Sequence, residues 1–217
     1  MSDRLARMAP LTGVIFALLS GVTFVITPTS PSAHASGAKV IAFYEAHRSV
    51  ERVSVIVGVF ALAFFMYFAT SLRGFLRRSR SAEGLAALVL AAAVLLTVGL
   101  AVSAGFAFAL ADAPSRLAPA AAQTLNLLDE DVFFALSLGV GLFGIASGMA
   151  ILRGGLLPNW LGWVAIVLGV ISFTPLFGLA LIAVSLWVLI VSILVYRRST
   201  DFAAESMQVA RGVAPTV

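Results

Sequence analysis

The chain has no cysteine, a single lysine and two histidines among its 217 residues. Without cysteine there is no disulfide, no thiolate metal site and no thiol nucleophile. Charge is scarce as well: 11% of residues are Asp, Glu, Lys or Arg and 61% are hydrophobic, where soluble domains run near 25% and 45–50%. The sequence holds no Gly-Lys-Ser/Thr phosphate loop, no His-Glu-x-x-His and no nucleophile elbow, so common nucleotide, zinc and serine-hydrolase chemistries have no motif to stand on. No Asp, Glu, Lys, Arg or His falls well inside a long apolar run. Such residues usually mark ion paths and proton relays, so a proton- or sodium-coupled transporter of the usual kind is disfavoured. No metal ligand set, cofactor or catalytic residue is assigned.

What remains is apolar sequence in long runs, with a mean hydropathy of +1.06. Six continuous stretches stand out: 9–27, 53–72, 84–110, 132–152, 158–174 and 176–196. Each is near the ~20 residues that cross about 30 Å of hydrocarbon as a helix. Continuous rather than alternating hydrophobicity selects helices over barrel strands. The expected fold is all-α: a polytopic membrane helix bundle, one domain over 1–200, followed by a mobile cytoplasmic tail at 201–217. The last two spans form one apolar run divided at Pro175, which cannot donate an i to i−4 hydrogen bond. The first stretch is read as a retained helix. Its length exceeds a signal-peptide core, although Ala33-His34-Ala35 resembles a cleavage site and cleavage would leave five spans.

Net charge is +4. The basic residues flank apolar runs, so they report topology rather than nucleic-acid binding. Arg4, Arg7, Arg73, Arg77, Arg78, Arg80, Arg153, Arg197, Arg198 and Arg211 fall on one side, and Lys39, Arg48, Arg52 and Arg116 on the other. The richer side is expected to be cytoplasmic, with both termini there. Trp160, Trp163 and Tyr196 suit an interfacial belt at that boundary. On the outer side, AKVIAFYEAHRSVERV (38–53) carries Val40, Phe43, Tyr44 and His47 on one helical face, which suggests an interfacial helix on the bundle mouth. The second outer loop, 111–126, contains alanine and proline and is expected to be partly irregular.

Two features invite functional readings. The first is LLDEDVFF (127–134), with Asp129, Glu130 and Asp131 at the entrance of the fourth span. As N-cap and first-turn residues they would contribute about 0.3–1 kcal/mol per charge against the positive helix end, with Arg48, Arg52 and Arg116 as candidate ion-pair partners. Alternatively they form an outer-face binding site with His47 for a divalent cation or cationic solute. Residues adjacent on a helix fan out by about 100° each, so convergence would need a further ligand such as Glu45 or Glu51. The second feature is the small-residue face Ser137, Gly141, Gly144 and Gly148, which lets helices approach closely in lipid, either within the chain or between two copies.

The segment LPNWLGWVAIVLGVISFTPLFGLALIAVSLWVLIVSILVYRR (157–198) resembles the C-terminal hairpin of uncharacterised six-span membrane proteins common in actinobacteria, a domain-of-unknown-function family. Leu157-Pro158, Trp160-Leu161-Gly162-Trp163, Trp187 and Arg197-Arg198 carry the likeness, with Asp131-Val132-Phe133-Phe134 in support. The resemblance implies a six-span protein of the bacterial inner membrane and no activity. The expected role is a non-enzymatic accessory, assembly or regulatory membrane protein, its partners being membrane lipid and another membrane protein or a second copy bound through the fourth helix. A small permease lined by Tyr67, Thr97, Ser103 and Ser137 is the first alternative. A membrane enzyme or cation site at Asp129, Glu130, Asp131 and His47 is the second.

Overall fold

The computed structural model describes residues 8–212, and the side chains of residues 8–200. Among the described residues the regular structure is entirely helical. A 3₁₀ turn at Ala9–Leu11 leads into α1 (Thr12–Ile26), and then come α2 (Gly37–Leu76), α3 (Glu83–Asp112), α4 (Pro119–Asp131), α5 (Phe133–Gly154), α6 (Asn159–Ile171) and α7 (Phe177–Gly212). Short 3₁₀ turns at Arg80–Ala82 and Pro114–Arg116 bracket α3. The expected tail at 201–217 has its side chains outside the described residues; the backbone of α7 continues as helix to Gly212.

Among the described residues, five units are long and apolar enough to cross a membrane: Ala9–Ile26, Gly37–Leu76, Arg80–Asp112, Pro119–Gly154 and Phe177–Thr200. The chain is thus a multi-pass membrane bundle. The sixth expected span is shorter than its apolar run: α6 has 13 residues, about 20 Å at 1.5 Å per residue. It nevertheless returns the chain to the other end of the bundle. Ser172, after α6, donates to the Ser137 carbonyl near the start of α5 (3.1 Å). The turn through Pro175 then brings Phe177 edge-on to Phe133, 5.0 Å between ring centroids. Irregular backbone at that depth is tolerated because it is held by protein: Ser172 is fully buried.

The chain therefore runs the length of the bundle six times. At one end Ser81 donates to the Arg153 carbonyl (2.7 Å), and Ser192 of α7 donates to the Pro10 carbonyl. Arg73, Arg77, Arg78, Arg80, Arg153, Arg197 and Arg198 gather there. The other end carries Lys39, Arg48, Arg52 and Arg116 together with most of the carboxylates. It is called the acidic end below.

Alpha-5 is the hub. Its Gly139 lies against the Leu96 backbone of α3, where an added Cβ would stand 2.8 Å from the Leu96 Cα. On its opposite side Gly141, Gly144 and Gly148 face α6. A Cβ on Gly144 would come within 2.7 Å of the Ala165 carbonyl oxygen, and one on Gly148 would strike the Gly162 carbonyl. The small face expected from the sequence is thus taken up by α6 of the same chain, as close backbone approach in lipid requires. Across the bundle, aromatic rings meet in series. Phe16 of α1 lies 4.9 Å from Phe65 of α2, Phe65 lies 5.3 Å from Phe143 of α5, and Phe143 lies 6.1 Å from Trp187 of α7. The Trp187 indole N–H ends the series by donating to the Leu161 carbonyl of α6 (3.0 Å), which satisfies its buried polar tip.

Replacing Gly144 with leucine should separate α5 from α6 and destabilise the chain by about 1–3 kcal/mol, the usual range for overpacking. Gly58, where a Cβ meets nothing within 4 Å, should accept alanine without loss. Thermal unfolding of both variants in detergent checks the contrast; equal midpoints would contradict the packing described.

Candidate functional site at the acidic end

Alpha-2 is one unbroken helix of 40 residues, about 60 Å long and roughly twice the hydrocarbon thickness. The interfacial helix expected at 38–53 is therefore its first half, continuous with the second span. Its apolar face docks under α4. Val40 and Tyr44 are buried with Leu110, Ala111, Ala122 and Ala35 in a small second core, separate from that of the bundle. At Gly37 the backbone meets the Pro119 carbonyl so closely that a Cβ would overlap it. The result is a helical cap over the acidic end.

The acidic triplet belongs to this cap and not to the start of the fourth span. It forms the last turn of α4, and α5 begins after Val132 with no side-chain N-cap bond. The N-cap role expected for Asp129 is corrected accordingly. The loop expected to be irregular at 111–126 is a 3₁₀ turn followed by most of α4, because Pro119 sits at N1 before an alanine run, a favourable start for a helix.

The three acids go to different places. Asp129 accepts a hydrogen bond from Ser103 of α3 (2.6 Å). Glu130 accepts from the Ala33 backbone N–H (2.7 Å), while Asn126 donates to the Ser32 carbonyl (3.1 Å); together they tie the 27–36 loop to α4. Asp131 is exposed. The expected pairing with basic residues is also corrected. Arg52 pairs with Asp112 (3.7 Å) and Arg48 donates to the Asp112 carbonyl.

A different set of groups does come together. Tyr44, His47, Glu51 and Ser54 repeat at i, i+3, i+7 and i+10 along α2, one helical face. Tyr44 is 1% and Glu51 3% exposed. The charges of Glu51 and Asp129 act on Tyr44, and those of Asp129 and His47 act on Glu51. His47 itself bonds the Phe43 carbonyl through Nδ1 (2.9 Å) and lies 4.6 Å from the Phe43 ring. Glu51 Oε1 and Ser54 Oγ are buried without a hydrogen-bond partner. Of the residues singled out from the sequence, Asp129 and His47 join this group, Glu130 reaches it only through its charge on Asp129, and Asp131 does not. The roles of Tyr44 and Ser103 come only from tertiary packing.

Tyr44, His47 and Glu51 precede the apolar crossing stretch that begins at Val53, and Asp129 precedes the one that begins at Val132; Ser54 lies just inside the former. Burial pushes the Glu51 carboxyl up from its ordinary 4.5, with Asp129 adding to the rise and His47 opposing it. Burial likewise raises Asp129, with the Ser103 hydrogen bond opposing the rise and the Glu130 charge adding to it. The Tyr44 hydroxyl is pushed up to about 12 by burial and by the neighbouring acids. A buried carboxylate with a second carboxylate's charge nearby holds its proton more tightly than one in water. The cluster offers no nucleophile–base pair, and among the described residues no group of three or more His, Cys, Asp or Glu could hold a metal ion.

Comparison of the chain with family models, curated proteins and solved structures returns no match.

A raised carboxylate pKa means that folding takes up a proton, so the stabilisation is complete below the ordinary value of 4.5 and is lost as pH rises through the folded value. Amide exchange in 40–51 and 119–131 should therefore be slower, after correction for intrinsic rate, at pH 5 than at pH 7.5. Glu51→Gln should protect the cap at pH 7.5 and flatten the dependence. An unchanged pH profile in that variant would remove Glu51 from the account.

Proposed function

We propose that this is a non-enzymatic integral protein of the cell's inner membrane, held with its arginine-rich end in the cytoplasm, which acts as an accessory or regulatory partner of another membrane protein. The observation that carries this reading is the closed centre of the bundle. Phe16, Phe65, Phe143 and Trp187 meet ring to ring across four crossing helices, and Trp187 is bonded to a fifth. A carrier needs a polar or branched cavity open to one face, and this level is filled by aromatic side chains. The hydroxyls that might have lined a path are already used. Thr97 donates to the Ala93 carbonyl, Ser137 to the Phe133 carbonyl and Ser103 to Asp129, the first two being the usual back-bonding within a helix. Tyr67 faces outward.

The orientation rests on the arginine asymmetry. It leaves the cap, with its buried acids, on the outer face. The polar cluster there supports a regulatory element that responds to outside pH more readily than it supports catalysis, because it offers no nucleophile–base pair.

Reconstitution into liposomes distinguishes this reading from a permease. With a pH-sensitive dye inside, vesicles carrying the protein should lose an imposed proton gradient no faster than protein-free vesicles, and a panel of small neutral solutes should likewise fail to enter. Flux that depends on the protein and is slowed by Glu51→Gln would replace the accessory reading with a transport one.

A further inference from the structure

Two shallow cavities lie one above the other on the outward side of α2, about a third of a turn round from the buried Tyr44–Glu51 face. The upper one, about 380 Å³, is lined by Glu45, Arg48, Ser49 and Arg52. The lower one, about 370 Å³, is a trough between α2 and α3 lined by Val55, Val59, Phe60, Ala104, Gly105 and Phe108, among others. Glu45, Arg48 or Ser49, Arg52, Val55 or Ile56, and Val59 or Phe60 succeed one another at three- and four-residue steps, so one groove runs down a single helix face. Arg52 joins its two halves: its guanidinium stands 5.8 Å over the Phe108 ring.

The polarity changes along the groove where the membrane's polarity changes. Arg52 lies one residue above the apolar stretch that begins at Val53. From Glu45 to Arg52 is about 10 Å along the helix, and from Arg52 to Phe60 about 12 Å. A bilayer's headgroup layer is about 5–8 Å deep on each side of the hydrocarbon, so the polar part of the groove matches headgroup depth and the trough lies at acyl-chain depth.

The geometry points to a binding site for one phospholipid of the outer leaflet, its phosphate on Arg48 and Arg52 and one acyl chain in the α2–α3 trough. The charges narrow the headgroup. Arg48 and Arg52 are offset by Glu45, one turn above Arg48, and by Asp112, which pairs with Arg52 at 3.7 Å. A head that carries both signs, a phosphate and a primary ammonium, answers both arginines and Glu45. A purely anionic head leaves the carboxylates facing it. The arginine forks suit phosphate oxygens. At Gly105 a Cβ would meet nothing within 4 Å, which leaves the floor of the trough open to a chain.

The test is native mass spectrometry of the full chain released from nanodiscs that contain equal amounts of dioleoyl phosphatidylethanolamine, dioleoyl phosphatidylglycerol and dioleoylglycerol. One phosphatidylethanolamine should be retained at least tenfold over dioleoylglycerol, which has the same tails and no phosphate, and in preference to phosphatidylglycerol. Arg48→Gln with Arg52→Gln should cut retention at least tenfold. So should Gly105→Leu, which fills the trough without touching the head and has room to fold. Arg77→Gln with Arg78→Gln, at the far end, should leave retention unchanged. Equal retention by all variants would mean ordinary annular lipid and overturn the site. Preference for phosphatidylglycerol would overturn the assignment of its headgroup.

Discussion

The close approach of α5 to its two neighbours governs the rest of the molecule. In lipid there is no water to drive helices together, so association rests on contact between backbones and on the few hydrogen bonds available. Alpha-5 provides that contact on both sides, through Gly139 toward α3 and through Gly141, Gly144 and Gly148 toward α6. Docking on the second face lets a helix of only 13 residues carry the chain to the far end, because the residues that complete the crossing are held against α5 and not left to lipid. Docking on the first face fixes the height of α3, and with it the point at which Ser103 meets Asp129.

The cap follows from that arrangement. Because α2 does not stop at the membrane surface, its first half stands above the bundle and needs cover for Val40 and Tyr44. Alpha-4 supplies the cover, and Glu130 and Asn126 of the same helix tie down the loop that follows α1. This closure buries Glu51 and half-buries Asp129, since the face that buries Tyr44 also carries Glu51 two turns later. Burying a carboxylate is costly unless it is bonded or neutral. Asp129 has the Ser103 hydroxyl, whereas Glu51 Oε1 has no partner, so the proton is the natural counter-charge. Arg48 and Arg52 cannot serve, because they lie on the outward side of α2 with Asp112. One helix thus separates an inward face that carries Glu51 from an outward groove in which Arg48 and Arg52 are offset by Glu45 and Asp112.

Much of this was legible in the sequence, and the failures have physical causes. Long apolar runs are an unambiguous sign of helices in lipid, and the break at Pro175 and the glycine spacing in 137–148 reflect local chemistry that a single chain states openly. The extent of α6 was harder to read, because its apolar run does not say where backbone hydrogen bonding stops. The stretch holding α4 reads as partly irregular because Pro114 and Pro119 crowd its N-terminal side, although a proline at N1 followed by three alanines is a helix start. That error moved the acidic triplet from the end of one helix to the beginning of the next and produced the wrong partners for it. Glu51 was recognised only as a contributor to convergence. Its burial depends on α3 and α4, residues far along the chain, and no local pattern reports that.

The absence of cysteine permits a direct test of the six-pass arrangement on which cap, groove and orientation depend. Single cysteines placed at Gly84, Ala121 and Ser199, one variant each, can be labelled with a membrane-impermeant maleimide from either side of sealed vesicles. Gly84→Cys and Ser199→Cys should react from one side and Ala121→Cys from the other. If Ser199→Cys instead reacts with Ala121→Cys, α6 does not complete its crossing, and the account of a closed six-pass bundle with its acid cluster opposite the arginine-rich end is wrong.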